Sequence, residues 1–218
     1  MDATLKKLTD FTHELAYGDI PPDAVHECKR RILDTLACAL GAFDAEPSKI
    51  ARAVARGTGG ERSARILFSL ERSAPEHAAF ANGVMIRYLD LNDATGSGGG
   101  HPSDALGALL AAAETTKTDG KTFILATVIV YELFLGFFAG MRIRNTGWDH
   151  VVYTVLAAAA AVAKMLKLDH ARIANALSLA LTPNMALEVS RRGQLTMWKG
   201  CAGGNACRNA IFATDLAA

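Results

Sequence analysis

The sequence predicts an all-α fold, a bundle of roughly nine helices. Apolar residues recur at helical spacing along nearly the whole chain. Half of the 218 residues are apolar, enough to bury a sizeable core. The breaks are those of helices, with prolines in first turns and glycines near ends.

Leu5, Leu8, Phe11 and Leu15 mark a first amphipathic helix, which Gly18 ends. Pro21-Pro22 start a second, striped by Val25, Cys28, Ile32, Leu36 and Leu40, with Lys29, Arg30 and Arg31 opposite. Pro47 opens a shorter helix that stops near Gly57. Ala64 to Phe68 is the one candidate strand. Ser73 and Glu76 form a capping box before a helix through Ala78, Ala81, Val84 and Met85 toward Tyr88. After a glycine-rich break from Asn92 to Gly100, Ser103 or Asp104 is placed to cap a helix through Leu106, Leu109 and Ala113. Asp119-Gly120 reads as a turn. The most apolar stretch, Thr122 to Met141, is interrupted by Glu132 and reads as a buried core helix rather than a membrane span. Ala157 to Ala163 belong to a helix with small side chains, and Asp169 caps one carrying Ile173, Leu177 and Leu181. A loop from Arg191 to Thr196 leads into a last helix starting near Trp198. That helix has no stop signal before Ala218, so the domain is expected to be truncated at its C-terminus.

Composition removes several function classes. A formal net charge of +1, with no basic arm, gives no electrostatic support for nucleic-acid binding. The N-terminus lacks the apolar segment of a signal peptide, and a cytoplasmic protein with no membrane partner is expected. Cys28, Cys38, Cys201 and Cys207 form no C-x-x-C pair and read as buried or half-buried free thiols. The six histidines show no ligand spacing such as H-x-x-x-H, and no P-loop or strand-supported dinucleotide fingerprint occurs. No metal or cofactor is expected.

Three segments gather chemistry. The first runs from Arg87 through Asp90, Asp93 and Thr95 to His101, Ser103 and Asp104, from a helix end across a loop to a helix start. Loop amides and a helix N-terminus both favour an anion, though a solvated capping loop has the same composition. In the second, Gly147-Trp148-Asp149-His150, a loop histidine beside an acid is either a general acid or base or a structural hydrogen-bonder. In the third, Arg191 to Gly200, Lys199 sits at a helix start, where the macrodipole disfavours a cation. That local cost points to an anionic partner, the alternative being a surface lysine. His13, His26, His77 and His170 read as surface residues.

Together, R-Y-L-D-L-N-D with G-H-P-S-D, G-W-D-H-V-V, and M-W-K-G-C-A with R-N-A occur in an order that resembles the MmgE/PrpD family. The likeness covers essentially the whole of residues 1–218 and is greatest to the 2-methylcitrate dehydratase branch. It implies the helical domain of such enzymes, normally followed by an α/β lid domain that is absent here, and a homodimer with the active site between the domains. It implies a metal-independent hydro-lyase dehydrating 2-methylcitrate or a similar tricarboxylate, as in propionate metabolism. A cis-aconitate decarboxylase or an isomerase or epimerase on the same scaffold, and a non-catalytic helical or dimerisation module, are the alternatives. Carried over by motif, the catalytic set is Asp90, His101, His150 and Lys199, with Asp90 or His101 as base and His150 as acid. Arg87, Asp93, Thr95 and Ser103 would bind substrate. One departure concerns threonine: the family's D-F-(D/N)-D-T reads Asp90-Leu91-Asn92-Asp93-Ala94 here, leaving Thr95 to take its place.

Overall fold

The computed structural model describes residues 1–96, 100–141 and 143–218. Among these, nine α-helices and one two-stranded hairpin account for the regular structure, so the fold is all-α. The helices are α1 (Ala3–Glu14), α2 (Pro22–Gly41), α3 (Glu46–Ala55), α4 (Pro75–Tyr88), α5 (Leu106–Thr116), α6 (Gly120–Gly140), α7 (Val151–Met165), α8 (His170–Leu181) and α9 (Trp198–Ala217). Short 3-10 turns precede α2, α5, α7 and α9.

Local chemistry explains most of the starts. Asp2 accepts the amides of Thr4 and Leu5, Asp119 that of Thr122, and Asp169 that of Arg172, each satisfying orphan donors of a first turn. Asp119-Gly120 is therefore the start of α6 rather than a free-standing turn. The expected capping box at Ser73 and Glu76 does not form. Ser73 lies in strand β2 (Arg72–Ser73), which pairs antiparallel with β1 (Ala64–Arg65), and its hydroxyl donates to the Ala55 carbonyl. The candidate strand is thus only two residues long, and beyond it Leu67 gives its amide to Asn82 Oδ1 of α4. Ser103 and Asp104 do not cap α5 either. Both are fully buried in the 3-10 turn Pro102–Ala105, where tertiary partners engage them.

The core centres on α7, whose residues from Val151 to Ala163 are all buried among α5, α6, α8 and α9. Its alanines let neighbours approach closely. The closest crossing lies between α4, α5 and α9. A Cβ at Gly83 would fall 2.6 Å from the Gly204 Cα, and one at Gly204 would fall 2.6 Å from the Phe80 carbonyl oxygen, so only glycine fits at either position. This crossing lays the C-terminal end of α4 beside the N-terminal end of α9, and the chemistry gathers there.

Helix α6 is long and apolar enough to cross a membrane by length and composition. In the fold it buries Leu125, Ile129, Val130, Leu133 and Phe134, while Leu135 on another face stays exposed. It is therefore a core helix on one face only. The four thiols are unpaired, and burial pushes Cys207 up to about 12 and Cys28 to about 11, which disfavours the thiolate at both.

Candidate active site

Helix α4 ends at Tyr88, and the chain turns through Asp90, which takes the left-handed conformation at φ 59°. Asp is one of the few non-glycine residues that tolerate this region. The turn sends the Asp90 carboxylate back across the end of α4. There Arg87 donates to Oδ1, Lys199 Nζ of α9 lies 3.0 Å from Oδ2, and His101 Nε2 stands 3.4 Å from Oδ1. Burial pushes the Asp90 carboxyl up, but the ammonium and guanidinium outweigh it and hold the pKa at about 2. Asp90 is thus a firm carboxylate and a weak base. Its side chain is 41 % exposed and that of Lys199 38 %, so the pair faces an open mouth.

His101 is buried beneath this pair. Its Nδ1 lies 2.7 Å from the Asp93 carbonyl oxygen, which can only accept, so Nδ1 carries the hydrogen and Nε2 the lone pair in the neutral ring. His150 lies beyond it, with ring centroids 5.8 Å apart. His150 is also buried. Its Nδ1 approaches Asp149 Oδ1 to 2.8 Å but off the line of a hydrogen bond, and neither ring nitrogen has an aligned partner among the described residues.

The 147–149 loop is held by pairing with 186–188. Asp149 gives its amide to the Ala186 carbonyl, and Glu188 gives its own to that of Gly147. Asp149 is fully buried, and burial alone would raise its carboxyl. The His150 ring and the Arg191 guanidinium, whose Nε lies 2.8 Å from Oδ2, instead hold it at about 2. Arg191 also donates to the Lys199 carbonyl at 2.9 Å, tying the 3-10 turn Glu188–Arg191 to the start of α9. The segment from Arg191 to Gly200 gathers chemistry in the sequence, but Arg191 itself is not among the expected site residues. Its signal is the contact itself, 42 residues from Asp149 along the chain.

The expected residues therefore fall into two groups. Arg87, Asp90, His101, His150 and Lys199 come together. Asp93 and Ser103 lie behind them, with the Asp93 carboxylate 4 % exposed and receiving the Ser103 amide and hydroxyl and the Tyr131 hydroxyl. Thr95 is on this rear side too, and its buried hydroxyl has no partner among the described residues. The rear side opens into a separate cavity of about 430 Å³ between α2 and α6, lined among others by Arg31, Asp93, Thr95, Tyr131 and Glu132. Asp104, deeper still, accepts from Asn92 Nδ2 at 2.9 Å and lies 3.5 Å from Arg87 Nε, buttressing the guanidinium that reaches Asp90.

An acid cluster framed by Lys199, Arg87 and Arg191, with two histidines and a helix N-terminus, is a place where an anion can be held and a proton moved. Residues 6–218 match the MmgE/PrpD N-terminal domain. The chain belongs to the MmgE/PrpD family. It is 32 % identical over 215 residues to the 2-methylcitrate dehydratase of Salmonella typhimurium, covering 93 % of this chain and 43 % of that protein. It is 31 % identical over 227 residues to a probable 2-methylcitrate dehydratase of Saccharomyces cerevisiae, covering 96 % and 43 %. It is 32 % identical over 204 residues to a fungal alkylcitrate dehydratase, covering 85 % and 40 %. The chain thus spans less than half the length of these MmgE/PrpD relatives.

Proposed function

We propose that this chain supplies the acid–base wall of a hydro-lyase site that dehydrates 2-methylcitrate or a similar tricarboxylate. The observation that carries the reading is the Asp90 carboxylate, bridged by Lys199 and Arg87 and faced by the Nε2 of His101. Loss of water from such an acid needs a base for a carbon-bound proton, an acid for the departing hydroxyl, and cations for the carboxylates and the enolate-like charge.

His101 is the base in this reading, because its Nε2 lone pair is turned to the site while Asp90 is too acidic to serve. A proton arriving on Nε2 lies 3.4 Å from the Asp90 carboxylate, which stabilises the imidazolium as it forms. His150, buried beside ionised Asp149, is the acid partner. Lys199 and the first turn of α9 take a substrate carboxylate. Three guanidinium and ammonium groups already stand against the carboxylates here, so the donor set suits metal-free chemistry.

Leu91, Leu187, Val189, Leu195, Met197 and Trp198, neighbours in sequence of the site residues, are exposed. Such an apolar rim fits a second segment that closes over the mouth and excludes water. We include in the proposal the homodimer that the resemblance implies, which sedimentation velocity tests.

The function is tested by joining this chain to the remaining part of a dehydratase relative and following products from 2-methylcitrate by NMR. An aconitate-type alkene that disappears in His101→Gln and Lys199→Ala supports the reading. Near-parental turnover in both variants contradicts the assignment, and carbon dioxide release in place of the alkene would make the enzyme a decarboxylase.

A further inference from the structure

The rear face of the site loop carries chemistry that the proposed reaction does not use. Asp93 brings its carboxylate to the wall of the rear cavity, only 4 % exposed, and donors on three elements hold it there. Its Oδ1 accepts the amide and hydroxyl of Ser103, whose Oγ in turn accepts from Asn92 Nδ2 at 2.9 Å. Its Oδ2 accepts the Tyr131 hydroxyl of α6 at 2.6 Å and lies 3.6 Å from Arg31 Nη1 of α2. Burial, with the neighbouring Asp93 charge second, pushes the Tyr131 phenol far above its ordinary range, so it remains a donor at any working pH. Arg31 is held by Glu27 at 2.6 Å. Helices α2 and α6 thus both hold one residue of the loop.

The main chain of that same residue faces the other way. The Asp93 carbonyl accepts from His101 Nδ1 at 2.7 Å, and Thr95 closes the neck of the loop by donating its amide to the Gly100 carbonyl at 2.8 Å. The ring therefore takes its tautomer from a carbonyl whose position depends on the side-chain anchor beneath it.

We propose that Tyr131 and Arg31 are positioning residues that act through Asp93 to hold His101 as its Nδ1–H tautomer, with Nε2 free toward Asp90. Among the described residues no hydrogen bond or ion pair joins Tyr131 to Asp90 or Lys199, so its effect on that cluster passes through Asp93 and the loop. The importance of the tautomer for turnover rests on the proposed reaction; the tautomer itself does not. The cavity beside Tyr131 and Asp93 leaves room for water where the hydroxyl is removed, so Tyr131→Phe creates no clash.

The test is nitrogen-15 NMR of the histidine rings in this chain, without substrate, at a pH where His101 is neutral. The parent is expected to show a protonated Nδ1 and a lone-pair Nε2 at His101. Tyr131→Phe is expected to shift the ring toward an Nε2–H mixture and broaden the Gly100 and His101 amides, while the His150 ring signals stay in place. Arg31→Gln, at the half-exposed edge of the network, is expected to do the same to a smaller degree and serves if Tyr131→Phe does not fold. An Nε2–H ring in the parent, or an unchanged Nδ1–H ring in whichever variant folds, overturns the proposal. Because no catalysis is measured, a failure of the dehydratase reading leaves this result standing; an unchanged Nδ1–H ring in the variants overturns the positioning roles alone, whereas an Nε2–H ring in the parent would also remove the lone pair assigned to the base.

Discussion

Three residues separate Asp90, two-fifths exposed and paired with Lys199, from Asp93, 4 % exposed and gripped by Tyr131 and Ser103. The first faces an open mouth lined with cations. The second faces inward, and its charge is balanced within the fold. The left-handed turn at Asp90 begins the divergence, since it folds that side chain back over α4 before the chain enters the loop. Two carboxylates in one motif thus take different surroundings, one open to solvent among cations and one held by hydrogen bonds within the fold.

The largest effect should come from the crossing that brings both faces together. Gly83→Ala places a methyl against backbone, and a loss of about 3 kcal/mol in urea unfolding is expected, with citrate binding lost as well. Asp93→Ala leaves the buried Ser103 and half-buried Tyr131 donors without their acceptor and should cost roughly 2 kcal/mol, whereas Asp90→Asn should cost less than about 1 kcal/mol. For citrate binding by calorimetry the order reverses. Asp90→Asn should tighten binding, because it removes the carboxylate that competes for Lys199 and Arg87. Equal stability losses at the two aspartates would break the comparison.

The pH dependence sharpens it further. Asp149 is fully buried with its pKa depressed from an ordinary 3.8 to about 2. Its contribution to stability is therefore fully present above the unfolded value and lost as pH falls from about 4 toward 2, with a total of roughly 2 kcal/mol. Asp149→Asn should flatten the acid limb of a thermal-unfolding series over that window. The smallest effect on stability is expected at Lys199, where removing the Asp90 contact and relieving the α9 dipole oppose each other. Lys199→Gln should move stability by less than about 1 kcal/mol while weakening citrate binding roughly tenfold.

Much of the fold is legible in the sequence because amphipathic periodicity and capping are local. Asp169 and the stripes of α1 and α8 fall where the pattern puts them. Errors arise where a side chain with capping chemistry has a tertiary partner instead. Ser73 serves Ala55, and Ser103 and Asp104 serve Asp93 and Asn92. Asp119 is the converse, a residue of turn chemistry that caps a helix. At the site, the motifs name Asp90, His101, His150 and Lys199, but spacing along the chain carries no information on which way Asp93 points. Arg191 and Tyr131 carry no local signal of these roles, since the carboxylates they hold lie 42 and 38 residues away.

The most direct test of the division between the two faces is a titration of the isotopically labelled chain with 2-methylcitrate, followed by NMR. The account predicts that signals of Asp90, His101 and Lys199 move together with ligand while those of Arg31 and Tyr131 stay in place. Movement centred on Arg31, Asp93 and Tyr131, with Lys199 unmoved, would contradict it.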